Sequence, residues 1–157
     1  MVVCFTGHRD LGSPDEALAI RHALDARLYR LIEEGATVFR AGGALGFDTL
    51  AALAVLDARH DFPTLRLELI LPCPDQCARW NAYQIEQYRQ ILTAADSHTY
   101  LAPAYYRGVM HERNRALVNG ADVCVAFLRA GCGGGTAYTV DYAKRRGVPV
   151  INLANDL

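Results

Sequence analysis

The chain carries no excess of charge of either sign. Sixteen lysines and arginines oppose 17 aspartates and glutamates over 157 residues, a formal net charge of -1, with no acidic or basic block. That balance argues against a strong electrostatic footprint for nucleic acid or an anionic membrane, and points to a small partner. No run of roughly 18 apolar residues is present to span a bilayer, and Met1 leads directly into an apolar tetrapeptide without the basic and apolar regions of a signal peptide. The expected location is cytoplasmic. Cysteine is present in an odd number, five, with three in or beside apolar strand-like runs, so no disulfide framework is legible. Cys73 and Cys77 have no second Cys/His pair to complete the four ligands of a closed zinc site, and no metal is expected. Also missing are a Gly-Lys-Ser/Thr ending and a full dinucleotide fingerprint, which sets aside P-loop ATPase and ordinary NAD-dehydrogenase chemistry. Without repeats, linkers or low-complexity stretches, residues 1–157 read as one domain.

What is present is an alternation of apolar runs and amphipathic stretches. Val2-Val3-Cys4-Phe5 reads as a buried parallel strand ending at Thr6-Gly7. Ser13-Pro14-Asp15-Glu16 reads as a capping box, and Ile20, Leu24, Leu28 and Leu31 then repeat at helical spacing up to a stop at Gly35. A strand near residues 37–39 and an alanine-rich helix to about Arg59 follow. Next come a strand over 65–71 closed by Pro72 and Pro74, and a helix over about 75–93 carrying Trp80, Tyr88 and Ile91 on one face. The remainder predicts a helix over roughly 108–119, a strand over 122–128, a helix opened by Gly133-Gly134-Gly135-Thr136, and a closing strand over 148–151. The fold class is therefore α/β, a Rossmann-like three-layer α/β/α sandwich with a mostly parallel sheet.

In such sheets ligands bind at the carboxyl ends of the strands. Those ends hold Thr6-Gly7-His8-Arg9, the stretch Gly42-Gly43-Ala44-Leu45-Gly46-Phe47-Asp48, Leu71-Pro72-Cys73-Pro74, and Gly133 to Thr136. Glycine-rich strand-to-helix turns aim free amides and the positive end of a helix dipole at one spot, which favours phosphate. The cradle would comprise Gly42, Gly43, Gly46, Gly134, Gly135 and Thr136, with Arg9 and Arg113 neutralising charge and Asn114 entering the same cleft. Two readings of several residues stand. Arg9 forks onto a phosphate or makes a surface ion pair, and His8 exchanges a proton or packs the loop. Asp48 meets a ribose hydroxyl or compensates the helix dipole. Trp80 and Tyr83 read as core or cleft-wall aromatics rather than a stacking platform.

These motifs, with Ala143 in the last helix, resemble the YpsA-like branch of the SLOG superfamily across nearly the whole chain. The resemblance implies a Rossmann-like fold binding a nucleotide-derived ligand, ADP-ribose-like or a nucleoside monophosphate, in a sensing role, with no required cofactor and with homodimerisation. Relatives include DprA, which binds single-stranded DNA, and the Lonely Guy phosphoribohydrolases, which cleave a nucleotide's N-glycosidic bond. The hydrolase motif Pro-Gly-Gly-x-Gly-Thr-x-x-Glu is only partly matched, because Thr139 stands where its catalytic glutamate falls. Binding is thus the leading expectation. An N-glycosidase using His8 or Asp48 and a single-stranded DNA binder are the alternatives, and nucleic acid is the less expected partner.

Overall fold

A computed structural model describes all of residues 1–157. Six parallel strands, β1 (Val2–Gly7), β2 (Val38–Ala41), β3 (Arg66–Leu71), β4 (Ser97–Tyr100), β5 (Val123–Phe127) and β6 (Val150–Asn152), form one sheet in the order β4-β3-β2-β1-β5-β6. Five helices connect them: α1 (Pro14–Glu33), α2 (Phe47–Asp61), α3 (Ala82–Ala94), α4 (Val109–Val118) and α5 (Gly135–Arg145). The two apolar faces of the sheet follow from the period-two alternation of buried strands. Val3 and Phe5 of β1 pack with α1, α2 and α3 in the larger core, whereas Cys4 packs with Leu117, Val118 and Ala143 of α4 and α5 on the opposite face. The chain steps outward from β1 to β4 on one side, then returns through α4 to set β5 on the other side of β1. A topological switch point therefore falls between β1 and β5, with Gly7 in register with Phe127.

The fold departs from the sequence reading in three places. Ser97–Tyr100 is a strand that apolar patterning does not reveal, since it is polar and mostly exposed; it exists because its backbone completes the edge of β3. Helix α3 begins at Ala82 rather than near Asp75, because Asn81 and Gln84 form a reciprocal capping box that fixes its start. Trp80 consequently precedes the helix and packs edge-on against Tyr88 at 5.3 Å, while Tyr83 is 75% exposed and is no core residue. At α1 only half of the expected box forms. Ser13 accepts from the Glu16 amide at 3.1 Å, but the Glu16 carboxylate turns to Arg129, 3.9 Å away. No helix is long and apolar enough to cross a membrane.

Candidate functional site

A cleft of about 370 Å³ opens over the carboxyl end of β1, at the lower end of the size range of small-ligand pockets. An aromatic cluster is its foundation. Phe47, the first residue of α2, lies 6.1 Å from Phe127 at the end of β5 and 6.4 Å from Phe5. Each such pair contributes about 0.5–1.5 kcal/mol beyond area burial. A Cβ at Gly7 would sit 2.3 Å from the Phe47 ring, so glycine there is what lets β1 end directly above the cluster.

His8 is fixed at three points. Its ring meets Phe127 edge-on at 5.6 Å, its Nε2 accepts from the Arg129 amide at 2.9 Å, and its carbonyl accepts from the Phe47 amide at 3.0 Å. With Nε2 an acceptor, the ring proton resides on Nδ1. Burial, and then the Arg129 charge, lower its pKa, so His8 is neutral near pH 7. The ring ties the β1 loop to the end of β5, and its Nε2 is not free for proton transfer. The pH dependence follows from linkage. Above about pH 6.5 both folded and unfolded forms are neutral; below it the unfolded chain binds a proton that the folded chain refuses. Stability is therefore expected to fall as pH drops below about 6.5, and urea titrations of the wild type and His8→Gln should show a shallower decline in the variant.

The second wall is α4, whose Arg113 and Asn114 are buried at 4% and 8% exposure. The Arg113 Nε donates to Asn114 Oδ1 at 2.9 Å and its Nη1 donates to the Gly42 carbonyl. Both acceptors are neutral. Neither Arg113 nor Arg9 belongs to any ion pair, and Arg9 is exposed at the cleft rim. Burial lowers the Arg113 pKa, opposed by the nearby Asp48. Burial likewise raises that of Asp48, opposed first by Arg113 and then by the Ala44 amide, which donates to Oδ2 at 3.2 Å. The only counter-charge near Arg113 is the Asp48 carboxylate, which makes no direct ion pair with it and which burial draws toward the neutral form, so an anion entering the cleft would be favoured there.

The third wall is the start of α5. Gly134, at φ 89, is its N-cap and supplies no side-chain cap, and Thr136 lies in the first turn. The first amide bonded back into this helix is that of Tyr138, donating to the Gly134 carbonyl, which leaves three amides before it free of intrahelical partners. The helices that start at the cleft, α2 and α5, and α4, whose first turn lines it, all have glycine N-caps without a capping side chain, whereas α1 and α3 are capped by Ser13 and Asn81.

The cleft thus brings together Thr6, Gly7, His8, Arg9, Asp48, Arg113, Asn114, Gly135 and Thr136, all of them singled out in the sequence. The first glycine loop departs from expectation. Gly42, Gly43 and Gly46 do not line the cleft, nor does Gly134; Ala44 and Gly133 do instead. Close approach is what the first loop requires. A Cβ on Gly42 would lie 2.7 Å from Arg113 Nη1 and 2.9 Å from Asp48 Oδ2, and one on Gly43 would press on Leu71. Met110, His111 and Leu117 also line the cleft and escaped the sequence reading. Spacing could have found two of them, since Met110 and Leu117 lie three before and four after Arg113 on one helix face.

The comparisons with known proteins agree with this architecture. A UPF0398 protein of Bacillus licheniformis is 28% identical over 167 aligned residues, covering 99% of this chain and 91% of the relative. The UPF0398 protein YpsA of Bacillus subtilis is 26% identical, covering 99% and 93%. Among solved structures, DNA processing protein A of Helicobacter pylori, described for its single-stranded DNA binding mode, superposes with a TM-score of 0.65 at 19% identity, over 100% of this chain and 71% of that one. The Streptococcus pneumoniae protein gives 0.62 at 16%, over 94% and 48%. At these identities the solved structures support the fold. The sequence profile of the YspA SLOG family matches residues 3–148, from β1 through α5, and with relatives aligned over almost its full length this chain belongs to that family.

Proposed function

We propose that the cleft binds a phosphate-bearing nucleotide derivative, in the class of a nucleoside monophosphate or an ADP-ribose-like molecule. The observation that carries this reading is Arg113, a buried guanidinium with only neutral acceptors, beside the uncapped start of α5. A phosphate there would receive the free amides at Gly135 and Thr136, the helix dipole and two arginines. Asp48, buried and drawn toward its protonated form, would face the ribose. Binding rather than hydrolysis is favoured by Thr139. It is fully buried and its Oγ1 donates to the Gly135 carbonyl at 2.8 Å, so no carboxylate occupies the position of the hydrolases' glutamate.

Calorimetric titration with AMP, ADP-ribose and NAD, followed by chromatography for free base or nicotinamide, tests the reading. Saturable binding without base release supports it; release abolished by Asp48→Asn would make the protein an N-glycosidase. Arg9→Ala, at the exposed rim, is expected to weaken the bound nucleotide by about 1 kcal/mol, roughly fivefold. The fold likeness to DNA processing protein A favours single-stranded DNA as the second reading, against the expectation drawn from net charge. Anisotropy of a labelled oligonucleotide decides it: tight binding that falls steeply with salt would displace the small-ligand reading.

A further inference from the structure

The cleft is not uniform along its length. The β1 and α5 sides present Arg9, Thr6 and the open amides of the last helix; on α4 the first turn presents Met110 and His111, while Arg113, Asn114 and Leu117 further along the helix are buried. The His111 imidazole lies nearly parallel to the Tyr138 ring, with centroids 4.1 Å apart and planes inclined by 10°. Tyr138 is itself held, its hydroxyl accepting from Arg115 Nη1 at 2.7 Å. One face of the imidazole is therefore covered by a tethered ring, and His111 is both exposed and part of the cleft lining.

We propose that His111, backed by Tyr138, is the ledge on which the base of the bound nucleotide stacks, so that the cleft selects nucleoside phosphates over sugar phosphates. The inference rests on the phosphate-binding reading of the same cleft. Its physical basis is that a planar base gains by stacking on an aromatic face in a sequence-tolerant way, without hydrogen-bond readout. A platform already held in place by Arg115 and Tyr138 loses little side-chain entropy when the ligand arrives. Met110 adds a polarizable, adaptable wall beside it, suited to the edge of a heteroaromatic ring. Arg9, the buried Arg113 and the open amides of α5 hold the phosphate, and the exposed first turn of α4, at Met110 and His111, holds the base.

The test compares AMP with ribose 5-phosphate, which keeps the phosphate and sugar and lacks the base, in calorimetric titrations of wild type, His111→Ala and His111→Phe. Wild type should bind AMP more tightly than ribose 5-phosphate. His111→Ala should weaken AMP about tenfold and leave ribose 5-phosphate within twofold, while His111→Phe, which keeps a stacking face and removes the ring nitrogens, should recover most of the AMP affinity. Equal losses for both ligands in His111→Ala, or His111→Phe as weak as His111→Ala, would overturn the ledge, since His111 would then be serving the phosphate. Ribose 5-phosphate binding as tightly as AMP to wild type would overturn the ledge alone. If wild type binds neither, the phosphate reading falls and the ledge with it. Melting temperatures of the variants, expected within a few degrees of wild type because His111 is exposed, separate lost binding from lost folding.

Discussion

Gly135→Asp should weaken AMP or ADP-ribose by about 2 kcal/mol or more, roughly thirtyfold, without lowering the stability of the protein. Gly135 is the first residue of α5, and its φ lies outside the left-handed region. A Cβ there meets only Asn114 Nδ2, at 3.6 Å, an ordinary contact, so the backbone accepts the change. An aspartate in the first turn also favours the helix, because its charge opposes the dipole. The same carboxylate, however, stands where the phosphate would, and it can satisfy the donors of α5 and the unpaired Arg113 in the ligand's place. The loss is therefore specific to binding. Arg145→Ala is the contrasting variant. Arg145 lies in the last turn of α5 and pairs with Asp141 at 3.1 Å, with side chains 63% and 68% exposed, and its removal should change binding by less than about 0.5 kcal/mol. Calorimetric titration of both variants, with urea denaturation of each, checks the pair; a larger binding loss for Arg145→Ala would move the site to the other end of the helix.

Gly46→Ala should destabilise the fold by about 3 kcal/mol or more, the largest stability effect expected of any single methyl group added to the cleft's framework. Two penalties add at this position. The backbone of Gly46 has φ +78, which costs an L-residue about 1–2 kcal/mol. Its Cβ would also fall 2.1 Å from the Arg9 carbonyl oxygen and 2.5 Å from its carbon, and backbone cannot swing aside as a side chain can. Gly147→Ala isolates the first penalty, since Gly147 has φ +74 with nothing within 4 Å of an added Cβ; about 1 kcal/mol is expected there. Urea denaturation of the two variants measures the difference. Equal costs would mean that the β1 loop yields to the intrusion and that the contact between Arg9 and the start of α2 is not what shapes the cleft rim.

The glycines show where reading a sequence succeeds and where it stops. Gly135 and Thr136 could be placed at the start of a helix from the chain alone, because a glycine cluster after an apolar run and before an amphipathic one has few other local solutions. Gly42, Gly43 and Gly46 carried the same local signal yet do not line the cleft. At Gly42 the requirement for glycine comes from Arg113 and Asp48, and at Gly43 and Gly46 a positive φ is joined by the close approach of Leu71 and of the Arg9 backbone, groups that arrive from elsewhere in the chain. Strand β4 was hidden for a related reason. Ser97–Tyr100 has no apolar pattern of its own, and its extended form is supplied by hydrogen bonds to β3. His111 has nothing distinctive in its neighbourhood of sequence, since its stacking partner Tyr138 is on another helix.

By itself the sequence determined most of the alternation of strands and helices, much of the core, the absence of a membrane-spanning helix, and the strand ends that border the cleft. Those properties are local, set by hydrophobic period, caps and turn residues within a few positions of one another. The tertiary structure alone decided which strand ends share a cleft, that Arg113 is buried with neutral acceptors, that His8 Nε2 is bound to the Arg129 amide, and that Asp48 is sealed beside a guanidinium. Each depends on the order of strands in the sheet, which places β5 against β1 across more than a hundred residues of chain, and on the burial that follows, which fixes how costly each unpaired charge is.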